Sequence, residues 1–156
     1  MIDVYTDASI NKRCSKYAIG MFIIDEYEKE LSFNNAGSVS KLVEYLDLEP
    51  KKEISISIIE AYSIYLALKY MNVTNQKGVV YTDSLSSLDL IYDIVKGKSK
   101  TMKKVIQLCK KELEKNDNLE VRWIKAHSCI YGNEQADILS KSSMNGKLNY
   151  KNIDWR

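Results

Sequence analysis

The first quarter of the chain alternates between apolar and polar positions in a way that predicts β-strands. A period of two places one face of a strand in the core and turns the other away from it. Three such runs, IDVYT, AIGMFII and ELSFNN, follow one another through short connections, as hairpin-linked strands do. We therefore predict an antiparallel meander of three strands over residues 2–6, 18–24 and 30–35.

Beyond residue 56 the pattern is mainly helical and is interrupted by two short strands. The segment SIIEAYSIYLALKYM, residues 57–71, is apolar around nearly its whole circumference, which predicts a buried helix. The remaining helices are predicted at 84–95, 100–115 and 133–144, and the two strands at 78–82 and 119–124. The order β-β-β-α-β-α-α-β-α predicts an α/β fold with a five-stranded mixed sheet, three antiparallel strands followed by parallel ones, flanked by helices.

The domain boundaries follow from the same pattern. A chain of 156 residues suits one domain with a sizeable core. We predict a single domain over residues 1–146 and a C-terminal tail over 147–156, in which Trp155 is the side chain suited to docking. Residues 38–54 fit neither period and are interpreted as a long connection or insert.

Composition narrows the class of protein. With 45% hydrophobic and 28% charged residues and one proline, the chain has the composition of an ordinary globular protein rather than a disordered one. Its apolar segments are interrupted by serine and tyrosine and fall short of a membrane span, so we expect no membrane binding. Cys14, Cys109 and Cys129 are scattered without metal-ligand spacing, which favours reduced thiols and a cytoplasmic location.

The formal charge of +2 hides a local cluster of lysines. Five of them lie within nine residues: Lys96, Lys98, Lys100, Lys103 and Lys104. Such a cluster is typical of a nucleic-acid contact, and equally of a solvated loop and helix face. The sequence leaves both interpretations open.

The tetrapeptide VYTD occurs twice, and each copy ends a predicted strand on an aspartate, Asp7 and Asp83. If the two strands are parallel neighbours, both carboxylates emerge at the carboxyl edge of the sheet, where open α/β sheets bind ligands. Carboxylates held close together repel each other unless a cation lies between them, and hard oxygen ligands favour Mg²⁺ or Mn²⁺ over Zn²⁺. The structural alternatives are that Asp83 caps a helix and that Asp7 belongs to a turn.

Two further acids and a histidine could join these aspartates. Glu60 is the only acid of its apolar helix, although Ser57 and Glu60 also form a capping-box pattern. Asp137, in the last predicted helix, could equally be an ordinary exposed acid. His127 is the single histidine and falls in a predicted loop, where an imidazole can shuttle protons or be incidental.

Four blocks of sequence together resemble type 1 ribonuclease H: V-Y-T-D-A-S, I-I-E-A, Y-T-D-S and W-I-K-A-H-S-x-x-x-G-N-E-Q-A-D. They occur in the order of that family and span nearly the whole chain. The resemblance implies a ribonuclease H-like fold and an endonuclease that hydrolyses the RNA strand of an RNA–DNA hybrid, leaving 5′-phosphate and 3′-hydroxyl ends. It also implies two Mg²⁺ ions, or Mn²⁺, about 3.5–4 Å apart. The implied metal ligands are Asp7, Glu60, Asp83 and Asp137.

The resemblance also implies roles for other residues. His127 matches a mobile histidine that assists product departure or proton transfer. RNA in a hybrid is read through 2′-hydroxyls in a wide, shallow minor groove. The candidates for these contacts are small polar residues beside the carboxylates: Ser9, Asn11, Ser57, Ser84 and Asn133. Ser9 as a turn residue and Asn133 as a helix cap are the structural alternatives, and we expect the protein to be a monomer.

The chain departs from the family pattern at several positions. Ala8 stands where glycine is common, the following loop NKRCSK lacks glycine, and Leu85 replaces a frequent polar residue. A short lysine segment, 96–104, replaces the basic protrusion of many bacterial members, which implies modest affinity for duplex or help from a partner. Two alternative functions are a catalytically weak hybrid-binding module, which the complete set of carboxylates disfavours, and a DNA-directed nuclease of the same fold.

Overall fold

A mixed β-sheet organises the chain, for which the computed structural model describes residues 1–48, 54–97 and 99–144. Within these ranges the strand order is β3-β2-β1-β4-β5. The strands are β1 (Ile2–Asn11), β2 (Lys16–Asp25), β3 (Glu30–Ser38), β4 (Gly78–Thr82) and β5 (Leu119–Trp123). The helices are α1 (Val39–Tyr45), α2 (Ile56–Val73), α3 (Leu85–Ile91), α4 (Lys100–Glu114) and α5 (Tyr131–Met144).

The pairing of the strands confirms the predicted topology. The strand β2 is antiparallel to both β1 and β3. The strands β1, β4 and β5 are parallel to one another. Parallel neighbours need a crossover, and α2 supplies it between β1 and β4.

The connection or insert predicted over 38–54 contains a short helix in its first half. Residues 39–45 form α1, because the Ser38 side chain accepts a hydrogen bond from the Lys41 N–H and so caps the helix. Its residues Leu42 and Val43 are buried in the core. Residues 49–53 and the predicted tail at 147–156 lie outside the described residues.

Side chains at alternate strand positions point to opposite faces of the sheet, and each face carries its own hydrophobic cluster. Val4 and Val80 pack against α2 in the larger cluster. On the other face of the sheet, α5 buries only a small cluster, built from Phe22, Ala136 and Leu139. The strand β1 therefore presents Val4 and Thr6 to one layer of helices, and Tyr5 and Asp7 to the other.

The small cluster depends on a close approach of α5 to β2. A Cβ at Gly20 would collide with the carbonyl oxygen of Ala136 and with backbone atoms of the next turn of α5. Gly20 is the register partner of Asp7. The absence of a side chain at position 20 is therefore what lets α5 lie directly over the segment of sheet that carries Asp7.

Candidate active site

The two VYTD segments end side by side at one edge of the sheet. The register pairs Tyr5 with Tyr81, and their rings stack with centroids 4.9 Å apart. Asp7 and Asp83 each follow two residues later, just beyond the last register pair of the parallel β1–β4 ladder, although β1 itself continues to Asn11. The convergence predicted from the repeated sequence is what the parallel pairing produces.

The structural alternatives for these two aspartates are wrong. Asp7 lies inside β1, not in a turn. The N-cap of α3 is Ser84, whose hydroxyl accepts a hydrogen bond from the Ser87 N–H at 3.3 Å. Neither carboxylate is therefore needed to end a strand or begin a helix, and both are available to the site.

The third carboxyl group, Asp137, comes from α5 and is hydrogen-bonded to Asp7. Two carboxyl groups can form such a bond only when one of them carries a proton. Burial, the bond to Asp137 and the negative charges of Asp83 and Asp137 raise the pKa of Asp7 to about 8, although the Ala8 N–H, which donates to Asp7 at 2.8 Å, opposes the rise. Of these two carboxyl groups, Asp7 is therefore the one whose pKa is raised, and it releases its proton at the higher pH.

Asp137 is the ionised member of the pair. Burial acts to raise its pKa, but the bond from the Lys141 ammonium and the bond with Asp7 outweigh this effect and hold the pKa below its usual value. The Lys141 Nζ lies 2.8 Å from Asp137 Oδ2. One site thus holds a neutral carboxyl and a carboxylate in contact, with a lysine as the counter-charge.

Glu60 approaches the site from the first turns of α2. Burial raises its pKa, the nearby charge of Asp83 raises it further, and a hydrogen bond from the Ser84 hydroxyl opposes both. The predicted capping box is wrong, because α2 begins at Ile56 with Ser55 in the N-cap position. Freed from a capping role, the Glu60 carboxylate is left to face Asp83.

Asp83 interacts electrostatically both with Glu60 and with the Asp7–Asp137 pair. Burial raises its pKa, the charge of Asp137 adds to the rise, and the positive charge of His127 lowers it. His127 acts in the same direction on Asp137. This histidine lies on the exposed loop between β5 and α5 in a left-handed conformation, with φ of 54°. The structure therefore brings the four predicted acids and the histidine together.

The predicted substrate-contact residues fall into different environments. The Ser9 hydroxyl lies 2.8 Å from that of Ser140 and joins β1 to α5, so the turn alternative for Ser9 is wrong. Asn11 is exposed at the end of β1. Ser57 is half-buried in α2.

The other two candidates are closer to the carboxylates. Ser84 is buried; its hydroxyl lies 2.8 Å from the Ser87 hydroxyl, accepts from the Ser87 N–H and is close enough to Glu60 to lower the pKa of that carboxyl. Asn133 lies inside α5 rather than at its cap, with 6% of its surface exposed. Its Oδ1 has no hydrogen-bond partner in the part of the chain that the structure describes. The roles of all five residues in substrate binding stay predictions.

Two residues of the site were missed from the sequence. Lys141 was overlooked, although an acid followed four residues later by a lysine is a recognisable helical pair. Gly132 was quoted only as part of a block, yet a Cβ there would collide with the Tyr5 ring. Its lack of a side chain lets the first turn of α5 cross β1 and deliver Asp137 to Asp7.

The family model for RNase H matches residues 1–145. The chain belongs to the RNase H family. No curated protein sequence matches it.

Solved RNase H structures share the fold at low sequence identity. RNase H1 from the halophilic archaeon Halobacterium salinarum is 11% identical with a TM-score of 0.74, over 93% of this chain and 98% of that one. The N-terminal RNase H domain of a Mycobacterium tuberculosis protein, solved as a fusion with maltose-binding protein, is 11% identical with a TM-score of 0.68, over 94% of each chain. LC11-RNase H1, isolated from compost by a metagenomic approach, is 19% identical with a TM-score of 0.66, over 93% of this chain and 96% of that one.

The carboxyl groups of the candidate site are chemically suited to binding a divalent cation. In residues 1–48, 54–97 and 99–144, no three acidic, histidine or cysteine side chains form a ready-made cluster of metal ligands. Nevertheless, the pKa values of Asp7, Glu60 and Asp83 are all raised, because the fold buries these carboxyl groups and holds acidic charges near each of them. A hard cation that replaced the shared proton would neutralise these charges, and carboxylate oxygens are the ligands it prefers.

The described ranges also contain no helix that is long and apolar enough to cross a membrane.

Proposed function

We propose that this protein is a metal-dependent endoribonuclease that hydrolyses the RNA strand of RNA–DNA hybrids and leaves 5′-phosphate and 3′-hydroxyl ends. The observation that carries the proposal is the meeting of Asp7, Glu60, Asp83 and Asp137 at the carboxyl edge of β1 and β4. Membership of the RNase H family supports it. We further propose that residues 1–146 act as one catalytic domain and that the protein works as a monomer.

The four carboxylates would hold two Mg²⁺ or Mn²⁺ ions. Bound there, the ions would lower the pKa of the attacking water and stabilise the leaving 3′ oxygen. The task of this chain's own residues is to supply unprotonated oxygens. Asp7 has to release the proton that it shares with Asp137, and Glu60 has to turn from the Ser84 hydroxyl. Loading therefore releases at least one proton and becomes easier as the pH rises.

His127 would manage the proton of the leaving group. Its loop is exposed, and the imidazole is close enough to Asp83 and Asp137 to change their pKa values. An imidazole at this place can give a proton to the 3′ oxygen as the phosphodiester bond breaks.

The test of the proposal is cleavage of an end-labelled RNA–DNA hybrid with Mg²⁺ or Mn²⁺, beside single-stranded RNA, duplex RNA and duplex DNA. We expect cutting of the hybrid alone, in its RNA strand, and complete loss of cutting in EDTA. The Asp7→Asn protein, purified in parallel, reports any contaminating nuclease. Hybrid binding without cleavage would instead identify a binding module, and cutting of DNA would identify a DNA-directed nuclease.

A milder effect is expected for His127→Asn. Asparagine tolerates the left-handed conformation at this position, so the substitution removes the imidazole without straining the loop. We expect kcat on saturating hybrid to fall by roughly 10²-fold, the usual scale of general acid–base catalysis. An unchanged kcat would contradict a role for His127.

A further inference from the structure

Lys141 lies in the candidate site without being one of its predicted members. It follows Asp137 by one helical turn, so both side chains leave the same face of α5. Its Nζ donates to Asp137 Oδ2 at 2.8 Å, and its charge also interacts with Asp7. One ammonium group thus contacts Asp137 and lies near Asp7.

The two side chains of this ion pair differ in how far they are exposed to solvent. The Asp137 side chain is 33% exposed and the Lys141 side chain 65% exposed. The acid is therefore mostly buried in the site, whereas most of the lysine side chain is exposed to solvent. An ammonium bound to Asp137 Oδ2 occupies an oxygen that a divalent cation would need, and its positive charge repels such a cation.

We propose that Lys141 is a built-in counter-ion of the Asp7–Asp137 pair, which competes with the divalent cation and so sets the metal concentration at which the site loads. The proposal rests on the proposed function, because it concerns the same metal site. In it Lys141 is a positioning residue: it holds the Asp137 carboxylate in place in the metal-free protein and leaves when a cation arrives.

A purely structural role for Lys141 predicts a different pattern. Loss of a surface pair would slightly lower the stability of the metal-free protein and leave cation binding unchanged. Loss of a competing counter-ion lowers the stability of the metal-free protein and tightens cation binding. Both roles lower the stability of the metal-free protein, so cation binding is the measurement that separates them.

The experiment is titration of the full chain with Mn²⁺ in the absence of nucleic acid, with free Mn²⁺ followed by electron paramagnetic resonance. We expect Lys141→Gln to lower the dissociation constant about three- to tenfold, as removal of a unit charge near a divalent ion in a partly exposed site does. Lys141→Arg, which keeps the charge, should bind as the wild type does. Lys111→Gln is the matched control, since Lys111 is exposed in the last turn of α4, remote from the acids.

Cleavage assays extend the test. In Lys141→Gln, the Mn²⁺ concentration for half-maximal cleavage of the hybrid should fall in proportion to the dissociation constant. Equal or weaker Mn²⁺ binding in Lys141→Gln would overturn the proposal. Loss of hybrid affinity with unchanged Mn²⁺ binding would also overturn it and assign Lys141 to the phosphate backbone.

The same titration separates failure of the inference from failure of the proposed function. Wild-type protein that binds Mn²⁺ through Asp7, while Lys141→Gln binds no tighter, would refute only the role of Lys141. If the wild type binds Mn²⁺ no better than Asp7→Asn does, the proposed metal site and the role of Lys141 are both refuted.

Discussion

Replacement of Asp7 with asparagine is expected to abolish cleavage of the hybrid and, at the same time, to stabilise the metal-free protein. Asparagine is nearly isosteric with the protonated carboxyl that the fold holds at this position, and it can keep the hydrogen bond to Asp137. It cannot supply an anionic oxygen to a cation. We expect kcat to fall at least about 10³-fold, because a central metal ligand is lost.

The stabilisation follows from the pKa of Asp7, which is about 8 in the folded protein against a usual value of 3.8. Between these values the folded protein holds the proton and the unfolded chain has released it. The stability of the wild type therefore falls as the pH rises from about 4 to about 8. One pKa unit corresponds to about 1.4 kcal/mol, so the loss at pH 8 is on the order of 3–5 kcal/mol. Asp7→Asn removes this dependence.

Urea unfolding at pH 5, 6, 7 and 8 in EDTA tests the effect. The free energy of unfolding of the wild type should decline across this range, and that of Asp7→Asn should decline much less, so that the difference is largest at pH 8. Addition of Mg²⁺ should stabilise the wild type alone, since ligands stabilise the state that binds them. Asp117→Asn, an exposed aspartate in the turn before β5, is the matched control and should follow the wild type throughout. Parallel curves for wild type and Asp7→Asn would contradict the raised pKa.

The opposite effects of Asp7→Asn on activity and on stability have one cause, the close placement of several acids in the site. The parallel pairing of β1 with β4, which ends at Tyr5 and Tyr81, places the carboxyl groups of Asp7 and Asp83 together. Two helices that pack on the sheet supply the other two acids: α2 carries Glu60 and α5 carries Asp137. Each added acid raises the cost of ionising its neighbours. In the absence of a cation, the fold meets this cost by keeping a proton on Asp7 and by placing Lys141 against Asp137.

The parts of the site that could be predicted are those governed by local pattern and strand direction. Period-two alternation located β1, the short apolar run GVVYT located β4, and the repeated VYTD was enough to infer that Asp7 and Asp83 meet. The alternation nevertheless predicted too short a strand for β1. Its ladder with β2 continues to Asn11 through the polar residues Asp7 and Ser9. Backbone hydrogen bonds extend a strand wherever a partner is present, whatever the side chains are.

The remaining parts depend on contacts between distant residues, which no local pattern encodes. The capping pattern at Ser57 was overridden because α2 begins one residue earlier, at Ile56. The docking of α5 depends on Gly20 and Gly132, whose roles become visible only when the opposing atoms, Ala136 and Tyr5, are in place. A glycine in a sequence predicts conformational freedom, whereas here the absence of a side chain matters because another backbone or ring comes close.

The second large effect is expected for Gly20→Ala, a substitution that adds one methyl group beneath α5. The new Cβ would meet the Ala136 carbonyl and the Ser140 N–H, which are backbone atoms and cannot rotate away. The helix would have to rise from β2, and overpacking of this kind costs about 1–3 kcal/mol, occasionally more. Because Gly20 lies beside Asp7 in the sheet, the same shift would separate Asp137 from Asp7. We expect cleavage to fall at least about tenfold, on the scale by which a misplaced group slows a reaction.

Urea unfolding, Mn²⁺ titration and hybrid cleavage together test this account, with circular dichroism to show that the sheet is retained. Gly97→Ala is the matched control, because a Cβ at that position meets only the flexible ends of side chains, Leu90 Cδ2 at 3.1 Å and Lys103 Cγ at 3.7 Å. We expect it to remain within about 0.5 kcal/mol of the wild type, as ordinary surface substitutions do, with unchanged cleavage. Near wild-type stability together with full cleavage in Gly20→Ala would show that α5 does not need the close approach, and that another contact holds Asp137 in the site.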